Sequence, residues 1–167
     1  MVVTDVADNK FEPNRRTTRA EFAAIIIRAL GLKPGTGMSS FKDVRVSDWY
    51  FESIQTAVSY GIIKGYNEET FAPNTTITRE QAMTMIARAM EITGLNAELA
   101  NDEGGKLLEV YSDRAGVSTY AKDSIAKCIK AGVASGRGNN TLAPKAYVTR
   151  AEVAAMAERL LQKSDLI

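Results

Sequence analysis

Apolar positions along the chain fall into short and long helical stretches that alternate and recur. Ile54, Ala57 and Val58 keep helical spacing within Ser53 to Tyr60, and Ile125, Cys128 and Ile129 keep it within Ser124 to Ala131. Gly61 and Gly132 follow them and read as helix stops. Longer helices are predicted over Thr18 to Leu30, Thr78 to Ile92 and Thr149 to Gln162. Phe22, Ile25, Ile26 and Ala29 form an apolar stripe on the first, and Met83, Ile86, Ala87 and Met90 form one on the second. Between a short helix and the next long one runs a loop punctuated by Gly and Pro, from Gly65 to Asn74 in the middle of the chain, which neither helix can continue through.

The long stretches open on one repeated tetrapeptide. Thr18-Arg19-Ala20-Glu21 returns as Thr78-Arg79-Glu80-Gln81 and as Thr149-Arg150-Ala151-Glu152. In the same register Phe11-Glu12-Pro13-Asn14 matches Phe71-Ala72-Pro73-Asn74 and Leu142-Ala143-Pro144-Lys145, and Arg28, Arg88 and Arg159 coincide. Trp49, Ile54, Ala57, Gly61 and Gly65 correspond to Tyr120, Ile125, Cys128, Gly132 and Gly136, so the second and third copies are complete. Carried backwards, the register sets Met1 opposite Gly61, which leaves the first copy without its short leading helix. Either a boundary has been introduced there, with the intact protein continuing upstream, or the first copy naturally lacks that element.

One helix-loop-helix copy cannot bury its own apolar face. The expected fold is therefore all-α, three copies in a pseudo-threefold arrangement around a central three-helix bundle. One domain is expected over 1–167, with a partial copy at 1–32, complete copies at 41–95 and 111–167, and a linker insertion at 96–110. Within that insertion Asn101-Asp102-Glu103-Gly104-Gly105 reads as exposed, with no function expected there.

Composition narrows the chemistry. Hydrophobic residues make up 45% and charged residues 25%, an ordinary soluble balance for 167 residues. Twenty-one Lys and Arg against twenty Asp and Glu leave a net charge of +1, without the basic excess that nucleic acid demands. The sequence holds no histidine, which removes the commonest general base and metal ligand, and its single cysteine, Cys128, can form no internal disulfide and is expected as a buried thiol. No apolar run is long enough to cross a bilayer and the start lacks the order of a signal peptide, so a signal for export is expected outside this sequence. Neither a metal nor a cofactor is expected.

The repeated tetrapeptide has two layers of meaning. Thr followed three residues later by Glu or Gln ahead of an apolar run is a capping box, which stability alone explains for Thr18, Thr78, Thr149, Glu21, Gln81 and Glu152. Arg19, Arg79 and Arg150 stand at the first helical position, where the helix dipole disfavours a cation by about 0.3–1 kcal/mol. Unpaired backbone donors beside a guanidinium fork suit a carboxylate or phosphate ligand. The rival partner is an Asp or Glu of a neighbouring copy. Trp49 offers a face on which a sugar ring can lie, and Tyr66, behind Gly65, is expected to be exposed where glycine permits close backbone approach to a ligand. Asp43 and Asp113 recur early in their copies, either to cap the short helix or to accept a hydroxyl.

Together these residues resemble the S-layer homology family. The likeness rests on the three tetrapeptides, the run Gly61-Ile62-Ile63-Lys64-Gly65-Tyr66, the Phe-x-Pro-Asn segments, and Phe41-Lys42-Asp43-Val44 with Asp48-Trp49-Tyr50 after it, and it covers nearly the whole chain. The resemblance implies a non-catalytic module at the cell surface of Gram-positive bacteria, in the cell wall and S-layer, holding an anionic secondary cell wall polysaccharide between repeats, of the pyruvylated N-acetylmannosamine type. It implies Arg19, Arg79 and Arg150 as anion contacts, Asp43 and Asp113 as groove acids, Trp49 as the stacking residue and Gly65 as the close backbone contact. Surface-layer protein neighbours are further candidate partners; membrane and nucleic acid are not.

This sequence departs from the family's pattern at several positions. The middle tetrapeptide reads Thr-Arg-Glu-Gln, the third copy has Tyr120 for the tryptophan and Gly136-Arg137 for Gly-Tyr, and Asp5 and Val6 stand where Gly65 and Tyr66 do in the second. Arg19 or Arg79, with Asp43 and Trp49, is the expected working site. A structural assembly module whose grooves hold protein segments is the second reading. A glycosidase pair of Asp48 with Glu52 or Glu68 is the third and weakest.

Overall fold

The structure is a computed structural model and describes residues 11–36, 39–95 and 97–167. Among these residues the chain forms six α-helices, α1 (Arg19–Ala29), α2 (Phe51–Ser59), α3 (Arg79–Thr93), α4 (Glu103–Glu109), α5 (Lys122–Lys130) and α6 (Arg150–Lys163), with short 3-10 turns before α5. No strand forms among them, only isolated bridges such as Thr18 to Thr76 and Thr78 to Tyr147. The fold is all-α.

The contacts define two compact units, Met1–Ile77 with Val148–Ala157, and Thr78–Tyr147 with Glu158–Ile167. Unit boundaries are not copy boundaries: the middle copy gives its short helix and loop to the first unit and its long helix to the second. In the first unit α1 packs on α2, with Phe22, Ile26, Ile54, Ile62 and Phe71 fully buried. In the second, α3 and α4 pack on α5, burying Met83, Ile86, Met90, Ile125, Leu142 and Leu160.

The long helices are buried more widely than their stripes predict. On α1 every residue from Arg19 to Ile27 except Glu21 is buried, and α3 adds Glu80, Ala82, Thr84, Met85 and Ala89 to the predicted face. Small alanines between large apolar residues allow this, since a helix apolar on most sides is a core helix rather than a surface one. Thr18 and Thr78 complete their capping boxes, and Thr149 and Glu152 exchange the equivalent bonds at 2.9 and 3.3 Å. Gly61 and Gly132 follow the short helices at φ +70, the left-handed conformation a helix stop needs.

One expected loop is a helix. Glu103–Glu109, within the linker insertion expected over 96–110, forms α4 on α5 and buries Leu108, while Asn101, Asp102 and Gly105 are exposed. Gly104 faces α5, where a Cβ would stand in ordinary contact with Ala126 at 3.7 Å. Lys130 ties the segment down, its Nζ donating to Glu103 Oε2 at 2.8 Å and to the Glu98 carbonyl at 2.6 Å. Two adjacent glycines read locally as loop, and the packing surface of α5 overrides them.

Candidate functional site

Each long helix opens against the loop of another copy. At the start of α1, the Arg19 and Ala20 N–H groups donate to the carbonyls of Thr75 and Pro73 at 2.9 and 3.0 Å, and the Glu21 N–H donates to Thr18 Oγ1. At α3, the Arg79 and Glu80 N–H groups donate to Ala146 and Pro144, again at 2.9 and 3.0 Å. At α6, those of Arg150 and Ala151 donate to Arg15 and Pro13 at the same two distances. The backbone donors that the sequence suggests are open to an anion are therefore engaged within the protein, as buried polar groups must be.

The arginine side chains turn the same way. They are only 4%, 3% and 4% exposed for Arg19, Arg79 and Arg150. Each Nε donates at 2.9 Å to a loop carbonyl, those of Phe71, Leu142 and Phe11 respectively, and Arg79 Nη2 adds the Ser135 carbonyl at 2.7 Å. These partners are loop carbonyls, and Arg79 in addition lies close enough to Asp113 of the third copy for its charge to act on that carboxylate. The negative ends of several carbonyl dipoles gathered at the helix start offset the unfavourable placement of the cation. Arg19 is also covered by aromatic faces, its guanidinium carbon 4.6 Å from the Tyr66 centroid and 4.7 Å from that of Phe71. Arg150 lies 5.4 Å from the Phe11 centroid.

Asp43 and Asp113 cap neither short helix, whose first turns have no side-chain cap. Asp43 accepts from the N–H groups of Phe71 and Ala72 at 3.0 and 2.7 Å, and Asp113 from those of Leu142 and Ala143 at 2.8 Å each. Ala72 and Ala143 sit at φ 58 and φ 50, a left-handed conformation that costs a residue with a Cβ about 1 kcal/mol or more. The aspartates hold the loop in that shape, and so present its carbonyls to the arginines. Burial opposes ionisation of Asp113, yet the two N–H bonds and the nearby Arg79 hold its carboxyl below its ordinary value.

Gly65 packs its Cβ side closely against its own protein. A Cβ there would lie 2.3 Å from the Asn67 carbonyl oxygen and 2.5 Å from the Phe41 ring, and at Gly136 the neighbours are the Thr141 carbonyl at 2.6 Å and the Tyr111 ring at 2.7 Å. Phe41 in turn stacks on Phe71 at 5.6 Å. The first unit thus brings Arg19, Asp43, Gly65 and Tyr66 together around Phe71. Trp49 meets Tyr50 edge-on at 5.2 Å, and the Tyr50 phenol lies close enough to Asp48 and Asp43 to feel their charge. Burial first, then the charge of Asp48, raise the Tyr50 phenol above its usual pKa. Trp49 and Tyr66 are 61% and 55% exposed, two large rings on the surface of one unit.

The second unit brings Arg79 and Asp113 together at Leu142 in the same way, but its periphery differs. Glu80, 3% exposed, accepts from the Ser118 N–H at 3.0 Å, the Ser118 hydroxyl at 2.9 Å, the Tyr120 hydroxyl at 3.2 Å and Lys145 Nζ at 2.5 Å. Burial opposes ionisation of this carboxyl as well, and the bonds from Lys145 and Ser118 outweigh it and take its pKa down. Neither Glu80 nor Lys145 nor Ser118 stands out by residue type; the one signal in the sequence is the Thr-Arg-Glu-Gln variant, where the other copies have alanine.

Asp5 and Val6 lie outside the described residues. Cys128 is fully buried, donates to the Met83 carbonyl, and burial pushes its thiol up to about 12. Asp48 accepts the Arg45 N–H at 2.7 Å, a turn bond. No described helix is long and apolar enough to cross a membrane. A cleft of about 320 Å³ beside α3 and α5, lined by Met90, Leu95, Glu98 and Lys127 among others, includes none of the residues expected to bind.

Against known proteins, the profile of the S-layer homology domain matches residues 2–23, 40–83 and 110–154, more than half the chain. The chain is 37% identical over 166 residues to an amylopullulanase of Thermoanaerobacterium thermosulfurigenes, covering 99% of this chain and 9% of that protein. It is 34% identical over 162 residues to an endoglucanase of Bacillus sp. (strain KSM-635), covering 97% and 16%. It is also 32% identical over 167 residues to a surface-layer 125 kDa protein of Lysinibacillus sphaericus, covering 98% and 13%. The chain thus spans only a small part of the length of these relatives.

Proposed function

This chain belongs to the S-layer homology family, and on that basis we propose that it anchors a larger protein to the bacterial cell wall by holding an acidic, pyruvylated secondary cell wall polysaccharide, without catalysis. The observation that carries this reading is the first unit, where the exposed Tyr66 ring lies against the Arg19 guanidinium at the Phe71 loop and Trp49, edge-on to Tyr50, presents a second exposed ring. A sugar has an apolar face suited to such rings, and a guanidinium behind them supplies the field that favours a ketal carboxylate. Asp43 and Gly65 serve by shaping the loop that seats Arg19. Arg79 with Asp113 repeats the loop frame in the second unit, and Arg150 donates in like manner to the Phe11 carbonyl.

The relatives support the location. They include a surface-layer protein as well as two named for polysaccharide hydrolases, and this chain matches the same kind of segment in each. A shared segment among proteins of such different names is what a portable anchor provides.

Calorimetric titration with a pyruvylated N-acetylmannosamine saccharide beside its pyruvate-free analogue tests the reading. Binding of the first and a large loss with the second is expected, and Trp49→Ala weakens binding by about tenfold, the 1.4 kcal/mol that a lost stacking face accounts for. Equal affinity for both saccharides overturns the acidic-ligand assignment.

A further inference from the structure

The middle copy departs from its siblings at a position that matters sterically. Ala20 and Ala151 follow their arginines, whereas Glu80 follows Arg79, and its side chain is buried. In the register of the repeat, the donors around Glu80 correspond to residues of the first unit: Ser118 to Ser47, Tyr120 to Trp49, Lys145 to Asn74. The residue beside Tyr120 is Ala121, where the first unit has the large, buried Tyr50. The two units place their bulk differently: the first has the large, buried Tyr50 beside its tryptophan, and the second has the Glu80 carboxylate, which meets Lys145.

Around that carboxylate stand one ammonium, two hydroxyls and one backbone N–H, four donors directed at two oxygens. Such a set is what a protein builds to receive a carboxylate from outside, with a charge-assisted bond from lysine and a backbone donor to fix orientation. Here the carboxylate belongs to the protein. Lys145 remains 59% exposed at its side chain while Glu80 is 4%, so the cation reaches inward from the surface to close over the acid. Tyr120 is held by the same group, its hydroxyl on Glu80, so the ring that corresponds to the stacking tryptophan is tied in place.

We propose that Glu80 is a built-in ligand: its carboxylate fills, through Ser118, Tyr120 and Lys145, the anion-accepting cluster of the second unit and bars acidic sugar from it, leaving the first unit as the binding one. This rests on the function proposed above, since it specifies which unit takes the acidic sugar. Glu80→Ala, which restores the residue found in the sibling copies, vacates a preformed carboxylate cluster.

Two measurements on the full chain test this. In the first, amide resonances are followed while a pyruvylated N-acetylmannosamine saccharide is added. In the natural chain Trp49 and Ala72 shift while Ser118 and Ala143 stay still, and in Glu80→Ala all four shift and a second equivalent binds. In the second, formate or acetate raises the melting temperature of Glu80→Ala and leaves that of the natural chain unchanged, a rescue that needs no sugar.

Shifts at Ser118 and Ala143 in the natural chain, at the saccharide concentrations that move Trp49, overturn the proposal, and that arm holds even where the alanine variant folds poorly. A folded Glu80→Ala chain that answers neither small carboxylate nor saccharide at those residues overturns it too, with binding at Trp49 intact. Silence at every residue in both chains instead removes the acidic-sugar reading on which the proposal stands.

Discussion

The arginine junctions of the two units share a frame and differ in what surrounds it. In both, an arginine at a helix start donates to a loop carbonyl, an aspartate grips the two N–H groups of that loop, and a glycine admits an aromatic ring beneath it. Around the frame the first unit has Trp49, Tyr66 and Asn74, and the second has Tyr120, Arg137 and Lys145 with the buried Glu80. The lesson is a division of labour within one repeat: residues that look like ligand contacts by type are bonded to the backbone, and variation that looks incidental decides what the surface offers.

The comparison breaks most sharply at the shared frame. Gly65→Ala and Gly136→Ala should each destabilise by about 3 kcal/mol, because the new Cβ meets backbone oxygens that cannot retreat as a side chain would. Matching losses in chemical denaturation would establish that both glycines serve the loop; a mild effect at Gly65 alone would make that position special to the first unit.

The next effect separates the units. Glu80→Ala removes bonds from one charged and three neutral donors and should cost about 2 kcal/mol, softened because Lys145 can turn back to water. Replacing the acid by its neutral isostere gives a pH signature. Since the Glu80 carboxyl is held below its ordinary value, its stabilisation is complete above the pKa of an unfolded glutamate and is lost as the pH falls through the lower folded value. Thermal melts of the natural chain and Glu80→Gln should differ near neutrality and converge in acid. A gap that persists in acid would mean the carboxylate charge is not what the cluster recognises.

Smaller effects sharpen the likeness of the copies. Thr18→Ala and Thr78→Ala should each cost about 1 kcal/mol by equilibrium unfolding, the worth of a capping box. Thr17 is the reverse case. Its hydroxyl is fully buried without a hydrogen-bond partner among the described residues, where the corresponding positions hold Ile77 and Val148. Thr17→Val should stabilise the chain by about 1 kcal/mol, and a destabilised variant would show that the hydroxyl has a further role.

Much of the architecture is legible in the residues alone. Helix positions agree with the apolar pattern to within a residue or two, because apolar spacing, capping boxes and stop glycines act between near neighbours. The repeat register, the all-helical class, the caps and the family all follow from the order of residues. That order also points to Arg19, Asp43, Gly65 and Tyr66, which the fold gathers around Phe71.

What those side chains touch is a matter of three-dimensional packing. Arg19 meets a carbonyl 52 positions away, Arg79 one 63 away and Arg150 one 139 away, so nothing local could say that their donors are already engaged. The helix α4 and the four donors around Glu80 are hidden from the sequence for the same reason. Local sequence sets which backbone groups and charges need partners, but a partner is chosen by proximity in space, and only the packed chain fixes that.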